Sequence, residues 1–216
     1  GRGLEAWGKK LPAGKRIGES WEICDRPGAQ SVVAEGPLKG RTLGELVREH
    51  GPELLGRPGP FPLLVKMLDA RDWLSIQVHP LPETALPGES PKTEAWYAMD
   101  AVPGAEMLLG LAEGATVEAL RDGAERHLRR CPFRKGEAVL VPTGTVHSIG
   151  PGLLLAEIQE NADTTYRLED WGRTGRPLQK EQALRTLALA PKTAPPCPAP
   201  LRTLPCGPFT LSLSRV

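Results

Sequence analysis

Two histidines and one glutamate stand out because their residue types and spacing suit metal binding. His79 follows Gln77 with one residue between them, so both side chains lie on the same face of a predicted strand. Glu94 belongs to the next predicted strand, and His147 follows a tight turn much further along the chain. Two imidazoles and a carboxylate are typical of a catalytic zinc site that keeps room for water or substrate. Cobalt, manganese or iron would also accept these donors. The sequence therefore predicts a divalent metal site formed by Gln77, His79, Glu94 and His147.

Each of these residues also has an ordinary structural interpretation. A single histidine in a strand is more often structural than a ligand, and Glu94 alone could be a half-exposed strand acid. The neutral amide of Gln77 could instead hydrogen-bond one of the metal ligands without binding the metal itself. His50 and His127 lie on predicted helices among charged residues, so we interpret both as solvated side chains.

Short apolar or alternating runs predict the strands that position these residues. The predicted strands are residues 18–23, 62–68, 73–79, 92–97, 136–142, 153–159 and 209–213, the last with nothing beyond it to pair with. A capping box and helical spacing predict helices over residues 42–50, 116–130 and 179–189. The fold class is therefore mainly β, a small barrel or double-sheet jelly roll with a few short helices.

Charge and composition exclude several classes of protein. The 216 residues carry 27 basic and 26 acidic side chains, so no global field attracts nucleic acid or an anionic membrane. No apolar run is long enough for a transmembrane helix, and the start of the chain has no signal-peptide core. We expect a cytoplasmic protein whose four cysteines are free thiols. A disulfide between Cys197 and Cys206 is the alternative.

Five segments, in family order, resemble the signature segments of type I phosphomannose isomerases. They are GESWEI (18–23), LSIQVHP (74–80), KTEAWY (92–97), VPTGTVHSIG (141–150) and EIQENADTTYR (157–167), which is followed by DWGR (170–173). The resemblance is to the short bacterial form, and it implies a cupin, a β jelly-roll barrel with its metal inside. It also implies a catalytic domain over residues 1–190. Residues 191–216, a proline-rich crossing and a final strand, would then begin a truncated second lobe.

The activity that this resemblance implies is the interconversion of mannose 6-phosphate and fructose 6-phosphate through a cis-enediol. The expected cofactor is one Zn²⁺ per chain, although other divalent metals fit the donors. The expected partner is a small sugar phosphate, with no nucleic acid and no membrane, and the expected assembly is a monomer or a homodimer.

Further residue roles follow from the same resemblance. Arg167 matches the catalytic arginine of the family, Ser75 and Lys92 match positions near substrate, and Arg173 is the natural cation to grip phosphate. Glu157 lines the site as a candidate catalytic residue. The general base stays open among Glu157, Asp163, Lys92 and Lys66.

Two other functions are compatible with parts of the sequence. A non-catalytic cupin module could bind a sugar or sugar phosphate and keep the metal without turnover. A pure binding module has no need of both Arg167 and Lys92 beside the metal, which favours the enzyme. A cupin oxygenase or another metal-dependent isomerase could share the two histidines and the glutamate. The Gln-x-His and Asp-Thr-Thr-Tyr-Arg segments argue against it.

Overall fold

Alternating and apolar segments fold as strands, and the computed structural model describes them over residues 2–214. Within this range the helices α1–α3 are Arg2–Ala6, Leu43–Leu55 and Lys180–Leu189, and two 3-10 helices are Glu118–Asp122 and Glu125–His127. The strands β1–β15 are, in order, Glu19–Ile23, Asp25–Arg26, Ala29–Gln30, Leu63–Ala70, Ile76–Val78, Glu94–Ala101, Glu106–Leu111, Leu128–Pro132, Glu137–Val141, His147–Ile149, Leu153–Glu160, Tyr166–Glu169, Ala199–Pro200, Thr203–Pro205 and Thr210–Ser212. The predicted mainly β fold is confirmed.

Two antiparallel sheets form the body of the protein. In the described residues, the six-stranded sheet has the order β1-β4-β11-β6-β9-β13 and the five-stranded sheet the order β12-β5-β10-β7-β8. Trp96 and Leu155 from the first sheet share one buried cluster with Met107 and Ile149 from the second. The inner faces of the two sheets therefore pack against each other, because alternate side chains on each strand are apolar and face inward.

Helix α3 and the two 3-10 helices cover the outer face of the five-stranded sheet. Helix α3 buries an apolar stripe that contacts residues of β5 and β12, and the segment before β8 packs beside it. The members of this outer cluster include Ile76, Val78, Leu120, Ala124, Tyr166, Leu168, Ala183, Leu184 and Leu187. Each helix within residues 2–214 is too short or too polar to cross a membrane.

Helix α2 begins where its capping residues predict. The Thr42 hydroxyl accepts a hydrogen bond from the Glu45 backbone N–H, and the Glu45 carboxylate accepts one from the Thr42 N–H. The helix runs past the predicted end to Leu55, with a kink at His50. Pro52 causes the kink, since a proline inside a helix lacks the donor and its ring clashes with the preceding turn.

The predicted helix over residues 116–130 is wrong. This segment forms two short 3-10 helices and then strand β8. Gly123 separates the two turns with a φ of 109°, which a right-handed helix cannot contain. The apolar spacing that suggested a helix instead reflects burial in the outer cluster, by Val117, Leu120, Ala124 and Leu128.

The prediction of four free thiols is also wrong. Cys131 of β8 forms a disulfide with Cys197, 66 positions later, while Cys24 and Cys206 are free and buried. The alternative pairing of Cys197 with Cys206 is likewise excluded. Sequence spacing could not find this pair, because Cys131 and Cys197 meet only after the proline-rich crossing returns to the five-stranded sheet.

The segment that follows the disulfide forms three paired strands, β13, β14 and β15. Strand β13 adds to β9 at the edge of the six-stranded sheet, with Ala199 opposite Ala138. The final predicted strand forms as β15, and it pairs with β14 as a hairpin. Its partner therefore precedes it in the chain, and the pairing needs no strand beyond it.

We expect Gly150→Ala to lower the free energy of unfolding by about 2 kcal/mol or more. A Cβ at this position would lie 2.2 Å from the backbone oxygen of Glu106, which cannot move without breaking the pairing of β7 with β10. Gly51→Ala is the control, because a Cβ there meets nothing within 4 Å. Urea unfolding of both variants makes the measurement. Equal stabilities would contradict the close approach at Gly150.

Candidate metal centre

The two sheets bring His79, His147 and Glu94 together. His79 directly follows β5 and His147 begins β10, which are neighbouring strands of the five-stranded sheet. Glu94 begins β6 of the facing sheet. One potential ligand atom from each residue lies within 4.8 Å of the others, and all three side chains are buried. We call these three residues the ligand cluster.

Backbone carbonyls fix the orientation of both imidazoles. Nδ1 of His79 lies 2.9 Å from the Thr164 carbonyl oxygen, and Nδ1 of His147 lies 2.8 Å from that of Thr145. A carbonyl oxygen only accepts hydrogen bonds, so each Nδ1 carries the proton. The lone pair of each neutral ring is therefore on Nε2, which faces Glu94.

The donor atoms of the ligand cluster fit a divalent cation. His79 Nε2 lies 3.1 Å from one Glu94 carboxylate oxygen, and His147 Nε2 lies 3.8 Å from the other. His79 Nε2 and Glu94 Oε2 are nevertheless buried without an aligned hydrogen bond. Buried polar atoms without partners are costly, and a cation among two nitrogens and a carboxylate would satisfy both. The three residues could thus hold a metal ion.

Gln77 borders the ligand cluster through its amide group. Its Nε2 lies 3.2 Å from His147 Nε2, and its Oε1 accepts a hydrogen bond of 2.8 Å from the Ser75 hydroxyl. Sequence alternation correctly places Ser75, Gln77 and His79 on one face. In this arrangement the amide nitrogen, not the oxygen, faces the cluster. A half-turn of the amide would exchange the two atoms.

A buried lysine contacts the cluster directly. Lys92 Nζ lies 2.7 Å from Glu94 Oε1 and donates a 3.2 Å hydrogen bond to Gln159. Lys92 precedes Glu94 by two positions, so the pleat of the chain turns both side chains to the inner face.

A second buried ion pair lies beside the cluster. Lys66 Nζ is 3.0 Å from one oxygen of Glu157, and the Trp96 indole N–H donates to the other oxygen at 3.0 Å. These residues are directly opposite each other on β4, β11 and β6. The ring of Trp96 also meets His147 edge-on, with centroids 5.3 Å apart. The Glu157 carboxylate, bound by Lys66 and Trp96, therefore lies on one side of the ligand cluster.

Arg167 shares a row with the ligands on the five-stranded sheet. Arg167 and His147 are the register partners of Gln77 on its two sides, so all three side chains point to the same face. Arg167 donates to the Pro177 carbonyl through Nη1, while its buried Nε makes no hydrogen bond. Its guanidinium therefore keeps an unused donor toward the interior.

The comparisons with known proteins agree on one family. Residues 5–120 match the catalytic domain of type I phosphomannose isomerases. The chain belongs to this family. It is similar to the mannose-6-phosphate isomerase of Streptococcus mutans, with 42% identity over 205 residues, 88% of this chain and 64% of that protein. It is also similar to mannose-6-phosphate isomerase ManA of Bacillus subtilis, with 44% identity over 183 residues, 80% of this chain and 57% of that protein.

A solved structure of the family extends the match to the fold. The crystal structure of the mannose 6-phosphate isomerase from Bacillus subtilis superposes with a TM-score of 0.82 and 34% identity. The match covers 95% of this chain and 68% of that one. The cupin-like fold implied by the sequence resemblance is therefore confirmed. The chain spans less than two thirds of the curated relatives it matches.

Electrostatics keeps the ligand cluster in the protonation states that bind metal. Burial lowers the pKa of both histidines, that of His147 to about 3, so the imidazoles are neutral at neutral pH. Burial alone would raise the pKa of Glu94. The adjacent His79 and Lys92 outweigh burial and hold that pKa well below its usual range. Cations compete with protons for these atoms, so such states favour metal binding.

Burial acts in the opposite direction on the neighbouring carboxylate. Burial, together with the negative charge of Glu94, raises the pKa of Glu157. Burial lowers the pKa of Lys66, but Glu157 and Glu94 raise it by more. Two carboxylates at one site thus differ in environment, a pattern that often separates a ligand from an acid–base group.

Arg173 lies away from the ligand cluster. It donates to the buried carboxylate of Asp170, and Arg176 donates to the same carboxylate. Both arginines line a cleft of about 890 Å³ between the segments that flank β1, β4 and β12. None of the ligand cluster lines this cleft. Asp163 is exposed on a loop, which separates this candidate base from the buried groups.

Several residues of the site were not found from the sequence. The backbone carbonyls of Thr145 and Thr164 orient the histidines, and no residue type in the sequence marks a backbone contact of this kind. Alternation along β11 places Gln159 on the same face as Glu157, but its hydrogen bond with Lys92 has no local sequence signal. The partnership of Asp170 with Arg176 could have been suggested by their position near Arg173.

We expect the metal-free protein to lose stability in acid because of His147. Its folded pKa, about 3, lies below the ordinary 6.5, so the unfolded chain binds the proton more readily between these values. The free energy of unfolding should fall as pH drops below 6.5, by up to about 1.4 kcal/mol per pH unit for this histidine. Urea unfolding with a chelator present measures this slope. His147→Gln should flatten it, and an unchanged slope in the variant would contradict the assignment.

Proposed function

We propose that this chain is the catalytic part of a mannose-6-phosphate isomerase, which interconverts mannose 6-phosphate and fructose 6-phosphate. One observation carries the proposal. The ligand cluster lies between the two sheets in contact with the buried Lys92 and, through Trp96, beside the Glu157 carboxylate, and Arg167 shares a row with Gln77 and His147. Family membership agrees with this chemistry, and the relatives named above are mannose-6-phosphate isomerases.

The cofactor that we propose is a single Zn²⁺, held by His79, Glu94 and His147, with Gln77 as a further ligand. Nitrogen and carboxylate donors suit zinc, and other divalent metals share the preference. When bound, the ion supplies Lewis-acid polarisation of a substrate carbonyl. In its present orientation the Gln77 amide N–H donates to His147 Nε2 and the amide oxygen accepts from Ser75, and a half-turn of the amide would present the oxygen to the ligand cluster.

The proton transfer is the part of the reaction that we assign to Glu157. Isomerisation removes the proton from C2 of mannose 6-phosphate and returns one to C1, while a hydroxyl proton moves from O2 to O1. A base with a raised pKa suits both directions of transfer. The Glu157 carboxylate is held by Lys66 and Trp96, so its orientation is fixed. Lys66 is the other candidate at this position.

Two cations act on the substrate oxygens in this proposal. Lys92 lies next to Glu94, within reach of a sugar hydroxyl or carbonyl at the cluster. Arg167 shares the row of Gln77 and His147 and would stabilise negative charge that develops on O1 or O2. Lys92 is buried, and Arg167 is half-buried with a buried Nε, so both are charged donors at least partly shielded from water.

We assign the phosphate group to Arg173, and we assign Ser75 to the substrate as a second polar group, whose hydroxyl would have to turn from Gln77 to donate to it. Arg173 follows the end of β12 and lines the cleft there, and Asp170 orients its guanidinium. A planar guanidinium can bind phosphate in a bidentate way. The partner of the protein is then a small sugar phosphate, and we expect a monomer or a homodimer.

We further propose that residues 1–190 form the catalytic unit. All the residues assigned above lie within it. Residues 191–216 would then begin a second lobe, and in the described part of this segment the Cys131–Cys197 disulfide and the pairing of β13 with β9 link it to the catalytic unit.

We expect the zinc-loaded protein to convert fructose 6-phosphate to mannose 6-phosphate, and EDTA to abolish the conversion. The measurement is a coupled isomerase assay with metal content determined on the same sample. Zinc re-addition after chelation is the control and should restore turnover. A metal-loaded chain that binds the sugar phosphate but never converts it would instead be a non-catalytic cupin module.

Arg167→Ala and His147→Ala should fail in different ways. Arg167→Ala keeps every ligand, so we expect bound zinc to stay stoichiometric while kcat falls on the order of 100-fold or more. His147→Ala removes a ligand, so we expect bound zinc to be lost. Elemental analysis and the isomerase assay on each purified variant separate these outcomes. Near-normal turnover in Arg167→Ala would remove this arginine from the mechanism, and stoichiometric zinc in His147→Ala would refute the ligand set.

A further inference from the structure

Residues 80–91 form a loop that joins the two sheets at the ligand cluster. His79 directly precedes the loop, and Lys92 and Glu94 follow it. The loop contains no helix or strand. Its conformation depends on turns within the loop, such as the Glu89 N–H bonded to the Leu86 carbonyl, and on contacts with neighbouring segments. The loop is also the direct chain connection between His79 and Glu94.

A buried tyrosine hydroxyl contacts this loop at two points. Tyr166 begins β12, and 1% of its surface is exposed. Its hydroxyl lies 3.0 Å from the Thr84 carbonyl oxygen and also hydrogen-bonds the Glu89 carboxylate. The loop is thus held near its beginning and near its end by one side chain. The pairing of β12 with β5 and packing against α3 hold that side chain in place.

Additional hydrogen bonds reinforce the same two points. Thr186 of α3 donates to the Thr84 hydroxyl at 2.8 Å, and the Leu86 N–H donates to the Glu89 carboxylate at 2.9 Å. The segment just before Tyr166 contacts a ligand directly, since the Thr164 carbonyl orients His79. One end of β12 therefore holds both the loop and the histidine next to it.

The Tyr166 hydroxyl is a donor at every pH at which the protein would work. Burial and the hydrogen-bonded Glu89 carboxylate raise the pKa of Tyr166 to about 12. A hydroxyl has one proton, and the carboxylate is the stronger of its two acceptors. Tyr166 thus anchors Glu89 mainly by a charge-assisted hydrogen bond.

We propose that Tyr166 and Glu89 are positioning residues that clamp the 80–91 loop and so hold His79 and Glu94 at metal-binding distance. The clamp acts from the outer face of the five-stranded sheet and touches neither metal nor substrate. This inference rests on the proposed metal site. Loss of the clamp should accelerate metal release, because the ligands on either side of the loop would separate more often.

The test compares Tyr→Phe variants of the zinc-loaded protein by the rate at which each releases zinc to a chelator. Tyr166→Phe should release zinc to a chelator roughly tenfold faster, since a buried charge-assisted hydrogen bond is lost. Amide hydrogen exchange in residues 80–91 should rise in the same variant. Tyr97→Phe is the matched control, because Tyr97 lies half-buried on the outer face of β6 and should release zinc at the wild-type rate.

Variants of the acceptor give an independent measurement if Tyr166→Phe folds poorly. Glu89 is a partly exposed loop residue, so Glu89→Ala should fold and should release zinc faster, whereas Glu89→Gln keeps an acceptor and should retain most of the slow release. Unchanged zinc release in both Tyr166→Phe and Glu89→Ala, even with lowered melting temperatures, would show a merely structural role and overturn the clamp.

Turnover on the same samples separates this inference from the proposed function. A wild-type chain that holds zinc without isomerising sugar phosphate would refute the isomerase proposal, while the release rates would still decide the clamp. A wild-type chain that binds no zinc would overturn both.

Discussion

The buried carboxylate of Glu94 is the interaction on which the rest of the structure depends. An isolated charge between two apolar sheets would be too costly to keep, so the fold must supply compensating groups. Lys92, two residues before Glu94, supplies a full positive charge at 2.7 Å. The histidines of the facing sheet present their Nε2 lone pairs to the carboxylate, so a cation among the three side chains would complete the compensation. Because the ligand atoms come from both sheets, this site exists only when the two sheets pack correctly against each other.

Burying the Lys66–Glu157 pair also costs desolvation free energy, and the packing of the core does not require this pair. Buried ion pairs often contribute little net stability, because desolvation cancels the attraction, and apolar residues of the same size can replace them. The surrounding positions on β4 and β11 are apolar, for example Leu68 and Leu155, and they pack without such a device. A charged pair that the core does not need is more readily explained by chemistry than by folding.

Strand alternation predicted much of the fold and the site, because it reports directly on which face a side chain occupies. Gln77 and His79, or Lys92 and Glu94, could be assigned to one face from two-residue spacing alone. Periodicity failed over 116–130, since burial beneath a helix produced helical spacing in a segment that Gly123 interrupts. The Cys131–Cys197 disulfide and the carbonyl partners of the histidines depend on long-range contacts, which local patterns do not encode.

The row formed by Arg167, Gln77 and His147 crosses three neighbouring strands, and each member points inward only because of its register. Side chains alternate strictly along a strand, so a slip of one residue would turn a whole set to the opposite face. A misregistered strand would then turn its apolar residues away from the core between the sheets and its ligands away from the metal site at the same time. The register of these three strands thus decides both the burial of the core and the assembly of the site. Cellular proteases that degrade misfolded chains would therefore also remove the misregistered chains that lack the site.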